Sequence, residues 1–358
     1  MTLIVTDDII QSILDMNEVI QEIENVFRDL GEGKTVNSPR IDHLMYVDYP
    51  NSYYSFKTIV GGSERSGLIA LRVNSDMITY SNNRRVKLPI AKDSRYVGLV
   101  FLFDAKSLEL KAIMNDGHLQ RTRVAATVAV GAKYLARKDS NTVGLFGTGW
   151  QAETIAIALS KVRNISHIKI FSPNPEHRRD FAYKIRRKLD INVTEVNEPN
   201  NVTKEVNMIV SATNSHDVVY NGNNIKDGIH LSSIRGTEMG EECWKKSDLI
   251  YFSAQPGKAY NYYFTRTWEE KKFKGTHIDV GIDNEFYEKY KDKCYLLSDL
   301  LTGKSKGRIS DSQITFFRKN QGLGIEFVAV AKIVYEKAKT KGLGIEIKDE
   351  LFTQTTHP

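Results

Sequence analysis

Cysteine is almost missing from this chain. Of 358 residues only Cys243 and Cys294 are cysteine, and neither stands in a CxxC pair. A disulfide framework and a structural zinc site are therefore excluded as organising devices. The eight histidines show no HExxH or comparable ligand spacing, and no metal is expected. No apolar run approaches the ~20 residues of a membrane span. The opening stretch, MTLIVTDDIIQSILDM, has acids where a secretory signal carries its basic flank, so a cytoplasmic location is expected. There is no dense Lys/Arg run interleaved with aromatics. The net charge of +6 comes from 50 basic residues spread along the chain against 44 acids, which does not suggest nucleic acid as a partner. Attraction of a small anionic substrate accounts for the excess equally well. Internal repeats and low-complexity segments are also absent. What remains is 41% hydrophobic and 26% charged, the composition of a soluble globular protein long enough for two domains.

The most informative stretch present is NTVGLFGTGWQAETIAIAL, residues 141–159. An apolar run, Val143 to Phe146, suits a buried parallel strand. Gly147-Thr148-Gly149-Trp150-Gln151-Ala152 follows, and then a segment of helical composition. Gly147 permits a sharp turn, Gly149 a close approach of backbone to a pyrophosphate, and Ala152 tight packing of helix on strand. The amide groups at the helix start meet the phosphate charge. A second strand-like run, His167 to Phe171, ends roughly twenty residues after the glycines, as a βαβ unit requires. Where an NAD-binding protein usually places an Asp or Glu for the ribose, this chain reads Ser172-Pro173-Asn174-Pro175-Glu176-His177-Arg178-Arg179. The missing acid removes repulsion against a 2′-phosphate, and Arg178 is placed to pair with one. NADP(H) is therefore expected over NAD(H). Two alternatives stay open: Glu176 turned to the ribose, and the arginines as a solvated first helical turn.

Before this unit the chain alternates as a mixed, mainly antiparallel sheet with helices. Leu3 to Val5, Tyr53 to Phe56, Gly67 to Val73, Val97 to Phe103 and Leu110 to Met114 read as strands. Ile9 to Leu14 and Met16 to Leu30 carry apolar residues at helical spacing, and so does Leu119 to Ala136. After it, Val193 to Val196, Met208 to Ala212, Ile229 to Ile234 and Leu249 to Phe252 continue a parallel sheet. A polar, Tyr/Lys-rich connector after about Gly275 leads to a strand at Ile314 to Phe317 and a helix at Ile325 to Ala338.

Three further stretches, taken with the glycine turn, carry a resemblance. Asp116-Gly117-His118-Leu119-Gln120-Arg121-Thr122-Arg123-Val124-Ala125-Ala126-Thr127 is similar to a DGxxLTxxRTAAT motif. Gly228-Ile229-His230-Leu231-Ser232-Ser233-Ile234-Arg235-Gly236 is similar to GxHIxAxGG. Leu301-Thr302-Gly303-Lys304-Ser305-Lys306-Gly307-Arg308 through Gly322-Leu323-Gly324-Ile325-Glu326 is similar to a closing GKxxGRxSDxxITLFxSxGxAxED segment. In this order they resemble the ornithine cyclodeaminase/mu-crystallin family. The resemblance implies an α/β fold in which a Rossmann-type parallel-sheet domain is inserted in a discontinuous α+β substrate-binding and dimerisation domain. The boundaries expected are 1–124, 125–307 and 308–358, with the active site in the cleft and a homodimer as the unit. It also implies an NAD(P)H-dependent oxidoreductase moving hydride to or from the C=N or C–N bond of an α-imino or α-amino acid. A cyclodeaminase-type lyase that releases ammonia is the alternative within the family. A non-catalytic protein holding dinucleotide and a small ligand is the alternative outside it.

By position Arg40, Arg72 and Arg123 look like the family's substrate-facing basic residues, and arginine suits a carboxylate because its planar fork makes two charge-assisted bonds. Arg72 stands where many relatives have lysine. A structural ion pair is the plain alternative for Arg40 and Arg72. Asp116 is the acid expected near the chemistry, with a turn role before Gly117 as its alternative. The aspartate that handles the amine proton in cyclodeaminases is replaced by Thr237. Glu238, one residue on, is the substitute acid, with a solvated loop position as the alternative. Thr213 and Asn214 follow a parallel strand where a Rossmann fold puts residues beside the cofactor. The expected dinucleotide site is thus Gly147, Thr148, Gly149, Trp150, Gln151, Ser172, Asn174, Arg178, Thr213 and Asn214.

Overall fold

The computed structural model describes residues 1–49, 52–81, 84–89, 95–215, 217–236, 238–256, 260–263 and 285–356. Thr237 and residues 275–284 of the connector expected after Gly275 lie outside the described residues. The chain divides into two compact units, one from residues 1–123, 260–263 and 322–356, the other from 124–256 and 285–321.

The first unit opens with β1 (Thr2–Val5), α1 (Asp7–Ile13) and α2 (Met16–Gly31). The Asp15 side chain accepts from the amides of Asn17 and Glu18 and so starts α2. Val19, Ile20, Ile23, Val26 and Phe27 recur along one face of that helix and are buried. Then come β2 (Thr35–Asn37), β3 (Ile41–Tyr46), β4 (Ser52–Ser63), β5 (Leu68–Ser81), β6 (Arg84–Leu88), β7 (Val97–Asp104) and β8 (Leu110–Asn115). Between β7 and β8 the Asp104 carboxylate accepts from the amides of Lys106 and Ser107, closing the expected turn. Among the described residues these strands, with β15 (Tyr260–Tyr263) and β18 (Ile345–Ile347), form one ten-stranded sheet, ordered β15-β3-β4-β5-β7-β8-β1-β18, with β2 on β4 and β6 on β5. The closing helix Gly324–Thr340 packs on β4, β5 and α2. It can approach β4 only because Gly61 meets Gly324: a Cβ on Gly61 would lie 2.3 Å from the Gly324 carbonyl carbon.

The second unit runs from α3 (Gly117–Leu135), most of which it holds, through β9 (Thr142–Phe146), α4 (Trp150–Val162), β10 (His167–Phe171), α5 (Pro175–Leu189) and β11 (Asn192–Glu195). It continues with β12 (Met208–Ser211), β13 (His230–Ser233), β14 (Leu249–Phe252), β16 (Cys294–Leu296) and β17 (Thr315–Arg318). Among the described residues its eight strands are all parallel, in the order β11-β10-β9-β12-β13-β17-β14-β16. Strands β12, β13 and β17 are buried at every position, as expected of a sheet covered on both faces. Phe146, Leu231, Trp244, Phe252 and Phe316 form one core cluster. Each such side chain contributes roughly 1.5–3 kcal/mol by leaving water. The order reverses between β9 and β12, the switch point at which doubly wound sheets bind ligands.

One boundary moves. The return to the first unit, expected at 308, comes at 322, because β17 lies between β13 and β14 in the parallel sheet. Thr315 to Phe317 are fully apolar or buried, and a central parallel position covers both of their faces.

Candidate functional site

In the first unit the alternation of β5 sets the chemistry. Arg72, Asn74 and Asp76 lie two residues apart, so their side chains share one face, and all three are buried. Register places Asp42 opposite Lys57, Lys57 opposite Asn74, and Asn74 opposite Gly98. The Asp116 amide then donates to the Gly98 carbonyl. A polar row therefore crosses four strands and ends at Asp116, just past β8. Gly98 is required in it, since a Cβ there would sit 2.0 Å from Asp116 Oδ1 and 2.5 Å from Asn74 Nδ2.

Arg72 donates through Nε and Nη2 to Asp116 Oδ2, both at 2.7 Å, and Asn74 adds a third donor at 3.0 Å. Arg123 pairs with Glu326 and donates from Nη2 to Gln120 Oε1 at 2.7 Å. Glu326 in turn accepts from the Leu323 amide at 2.9 Å, which fixes the start of the closing helix. Both guanidinium groups lie over the Phe327 ring, 5.6 Å away for Arg72 and 4.6 Å for Arg123. Burial pulls Arg72 below the ordinary guanidinium range; Asp116 opposes the shift and Arg123 adds to it. It still carries its charge at any working pH. Farther along the same face Lys57 and Lys87 hold Asp76 at 2.8 and 2.9 Å. Burial alone would raise the Asp76 carboxyl, but the two lysines keep it below its usual value.

Arg72, Arg123 and Asp116 are thus brought together. Arg40 sits apart from them, about two-fifths exposed and paired with Asp42 at 2.9 Å. Sequence reasoning missed Asn74, Lys57, Glu326 and Phe327. The first was legible in the two-residue spacing from Arg72, and Glu326 lay in a motif already marked. Lys57 and Phe327 join the group only through strand register and helix packing.

In the second unit Gly147 turns the chain with φ +108°, and a Cβ there would lie 2.3 Å from the Ala212 carbonyl oxygen. Gly149 is the N-cap of α4 and provides no side-chain cap; a Cβ added to it meets nothing within 4 Å. By contrast α2 and α5 are capped by Asp15 and Asn174. A helix start left without a capping side chain and facing open space fits a pyrophosphate. Thr148 and Gln151 are half-buried on this turn, and Trp150 is exposed.

At the end of β10 the structure differs from expectation. Arg178 is buried: Nη1 donates to the Ser172 carbonyl and Nη2 to Asn197 Oδ1 at 3.0 Å. It serves as an internal brace for the loop and does not reach outward to a phosphate. The Asn174 side chain accepts from the amides of Glu176 and His177, which starts α5. The neighbouring Arg179 instead lines an open groove of about 550 Å³ with Pro173, Asn174, Pro175 and Glu176. Helical phase explains the exchange: Arg178 falls on the face of α5 that buries Phe181, Ala182 and Ile185.

Glu238 also corrects the reading from sequence. It is neither a loop acid in solvent nor aimed outward; it is fully buried. Oε1 accepts from the Thr213 amide at 2.6 Å. Oε2 accepts from Ser211 Oγ at 3.1 Å and from the amides of Ile234 and Arg235 at 3.2 and 3.0 Å. Burial raises its carboxyl above the ordinary value, the Thr213 bonds opposing. Thr213 itself is half-buried and Asn214 exposed, both just beyond β12. Among the described residues no three His, Cys, Asp or Glu side chains gather as metal ligands.

A doubly wound parallel sheet with a glycine turn at its switch point defines a dinucleotide-binding protein. The profile of the ornithine cyclodeaminase/mu-crystallin family matches residues 2–342, and the chain belongs to that family. It is 26% identical over 343 residues to a Delta(1)-pyrroline-2-carboxylate reductase of Bacillus cereus, covering 94% of this chain and 97% of the relative. It is 25% identical over 347 residues to an iminosuccinate reductase of Paracoccus denitrificans, covering 97% and 99%. Among solved structures it resembles the Thermococcus litoralis Delta(1)-pyrroline-2-carboxylate reductase in complex with NADH and L-proline. That match has a TM-score of 0.79, 25% identity, and coverage of 97% and 100%. An archaeal alanine dehydrogenase dimer with bound NAD shares the fold, with a TM-score of 0.75, 22% identity, and coverage of 97% and 99%.

Proposed function

We propose that this protein is a nicotinamide-dinucleotide-dependent oxidoreductase that moves a hydride to or from the C=N or C–N bond of an α-imino or α-amino acid. The observation that carries the reading is the buried Arg72–Asp116–Asn74 group beside Arg123, in a chain that also holds an open glycine turn at a parallel-sheet switch point. The bound dinucleotide supplies the hydride. The chain's part is to hold the acid. A guanidinium has five N–H donors, and Asp116 engages one edge of the Arg72 fork. The substrate carboxylate takes the remaining edge, with Arg123 as second cation and Arg40 at the approach. Asp116 orients Arg72 and keeps it from turning away.

The lyase alternative has lost its acid. Glu238 is fully buried and accepts four internal hydrogen bonds, which speaks against its serving a substrate amine. Relatives act on Delta(1)-pyrroline-2-carboxylate and iminosuccinate, so a cyclic imino acid and a dicarboxylic imino acid are the first substrates to offer. The test follows absorbance of the reduced dinucleotide with these acids, and with pyruvate plus ammonia. Consumption that requires the imino acid supports the reading. Proline and ammonia formed from ornithine with catalytic NAD and no net reduction would replace it with the lyase.

For the cofactor we infer NADP(H) over NAD(H), now on Arg179. It stands at the rim of the groove beyond β10, where Ser172 follows the strand in place of the usual acid and Glu176 shares the rim. A homodimer is supported by the face of the ten-stranded sheet opposite the closing helix. There Ile69 and Phe103 are exposed and Leu71, Val73, Leu99 and Phe101 only half-buried.

A further inference from the structure

We propose that Glu238 is a positioning residue for the dinucleotide site, the tie that holds the loop after β12 and the turn after β13 in one arrangement. The inference rests on the cofactor reading above and deepens it. Strands β12 and β13 are parallel neighbours, paired from Met208–His230 to Ser211–Ser233. Ligands of such sheets lie beyond the carboxyl ends of the strands. Both chain segments leaving those ends are bonded to a single carboxylate. One oxygen takes the Thr213 amide; the other takes the Ile234 and Arg235 amides and the Ser211 hydroxyl.

The Thr213 loop is in turn the wall against which the glycine turn closes. A Cβ on Gly147 would meet the Ala212 carbonyl oxygen at 2.3 Å and Thr213 Cγ2 at 3.3 Å. Displacing Thr213 therefore shifts the surface beneath the phosphate turn. The β13 turn is gripped a second time by Arg318, which is fully buried and donates to Ser233 Oγ and to the Arg235 carbonyl. Those two Arg318 bonds fasten the β13 turn, and the Glu238 carboxylate spans both segments. A neutral amide in place of Glu238 would turn an NH2 group toward N–H donors, and a buried donor left facing a donor is costly.

The experiment uses the full chain and two probes, NADPH and NADH, with binding read by fluorescence of the reduced ring. In Glu238→Gln, dinucleotide Kd rises about tenfold or more, the scale of one lost charge-assisted bond. The KM for imino acid at saturating dinucleotide stays within about twofold of wild type, on the same scale of reasoning. A purely structural role would lower the melting temperature and leave that Kd unmoved. Dinucleotide Kd within twofold of wild type overturns the proposal. If Glu238→Gln does not fold, Ser211→Ala removes one of the donors and is expected to weaken dinucleotide binding about threefold. An unchanged Kd there overturns it equally. Wild-type protein that binds neither probe would sink the cofactor reading, and this proposal with it.

Discussion

The two sheets of this protein store polar groups in opposite ways. In the ten-stranded sheet, charged side chains lie within the layer. Lys57, Arg72, Asn74, Asp76 and Asp116 are all buried on the face under the closing helix, while the other face carries apolar side chains that stay half open. In the eight-stranded sheet, the central strands β12, β13 and β17 are sealed on both faces and polar groups gather at their ends. His230 begins β13, and Glu238 and Arg318 lie beyond or at the carboxyl edge. The difference follows from strand direction. An antiparallel sheet can leave one face uncovered, and pairing across strands lets opposite charges meet side by side. A parallel sheet buried on both sides has room for an ion only where the ladder stops and backbone amides become available.

The largest effect is expected where charge is embedded in the layer. Arg72→Met removes one half of a buried pair and leaves Asp116 with Asn74 alone, a change that costs about 3–5 kcal/mol of stability. Arg72→Lys keeps the charge but loses the fork, so fold is kept while kcat/KM for the imino acid falls about tenfold or more. Denaturant midpoints and steady-state rates on the pair of variants separate the two roles. Equal stability of Arg72→Met and wild type would mean that this face is not the closed layer described here.

The open face gives a smaller effect of a different kind. Phe101 on β7 projects from it between Leu71 and Ile113 by register. Phe101→Asp leaves the interior polar row untouched and weakens self-association by about 2 kcal/mol or more, the scale of an aromatic anchor lost from an interface. Sedimentation equilibrium checks this. An unchanged mass would show that this face is not where copies meet.

How much of this is legible in the sequence depends on how far apart the interacting residues lie along the chain. The glycine turn was local: strand, Gly147, Gly149 and helix start all fall within residues 142–162, and each residue's job follows from backbone sterics. Arg72 and Arg123 stood out in the sequence as candidate substrate-facing cations, but their internal partners were not legible. Asp116 lies 44 residues from Arg72, and Glu326 lies 203 from Arg123. Arg178 and Arg179 are adjacent letters with the same charge, and only the phase of α5 on the sheet decides which is buried. Glu238 shows the harder limit. A carboxylate in a glycine-rich turn reads as solvated, and nothing local announces that the Thr213 amide 25 residues upstream will bond to it.

The smallest expected effect tests how the sealed sheet treats an ionisable group. His230 is fully buried, and its Nδ1 lies 2.9 Å from Thr315 Oγ1. Thr315 gives its one proton to the Leu135 carbonyl at 2.9 Å and accepts from Arg308 Nη2 at 3.1 Å. His230 must therefore donate from Nδ1, leaving Nε2 unprotonated and without a partner among the described residues. A second proton would place an unpaired N–H and a charge in the core. Burial chiefly, then the positive charges of Arg308 and Arg163, hold the ring well below its ordinary value of 6.5. The unfolded chain takes up that proton near 6.5 and the folded chain does not, so stability falls as pH drops below 6.5. The slope from this one residue approaches about 1.4 kcal/mol per pH unit. Asparagine can still donate to Thr315 but does not titrate. The wild-type denaturant midpoint should therefore drop between pH 7.5 and pH 5.5 by more than that of His230→Asn, each pH chosen about one unit from the free-imidazole value. Parallel losses in the two proteins would mean that the imidazole is protonated in place, and that the sealed sheet tolerates charge as readily as the open one does.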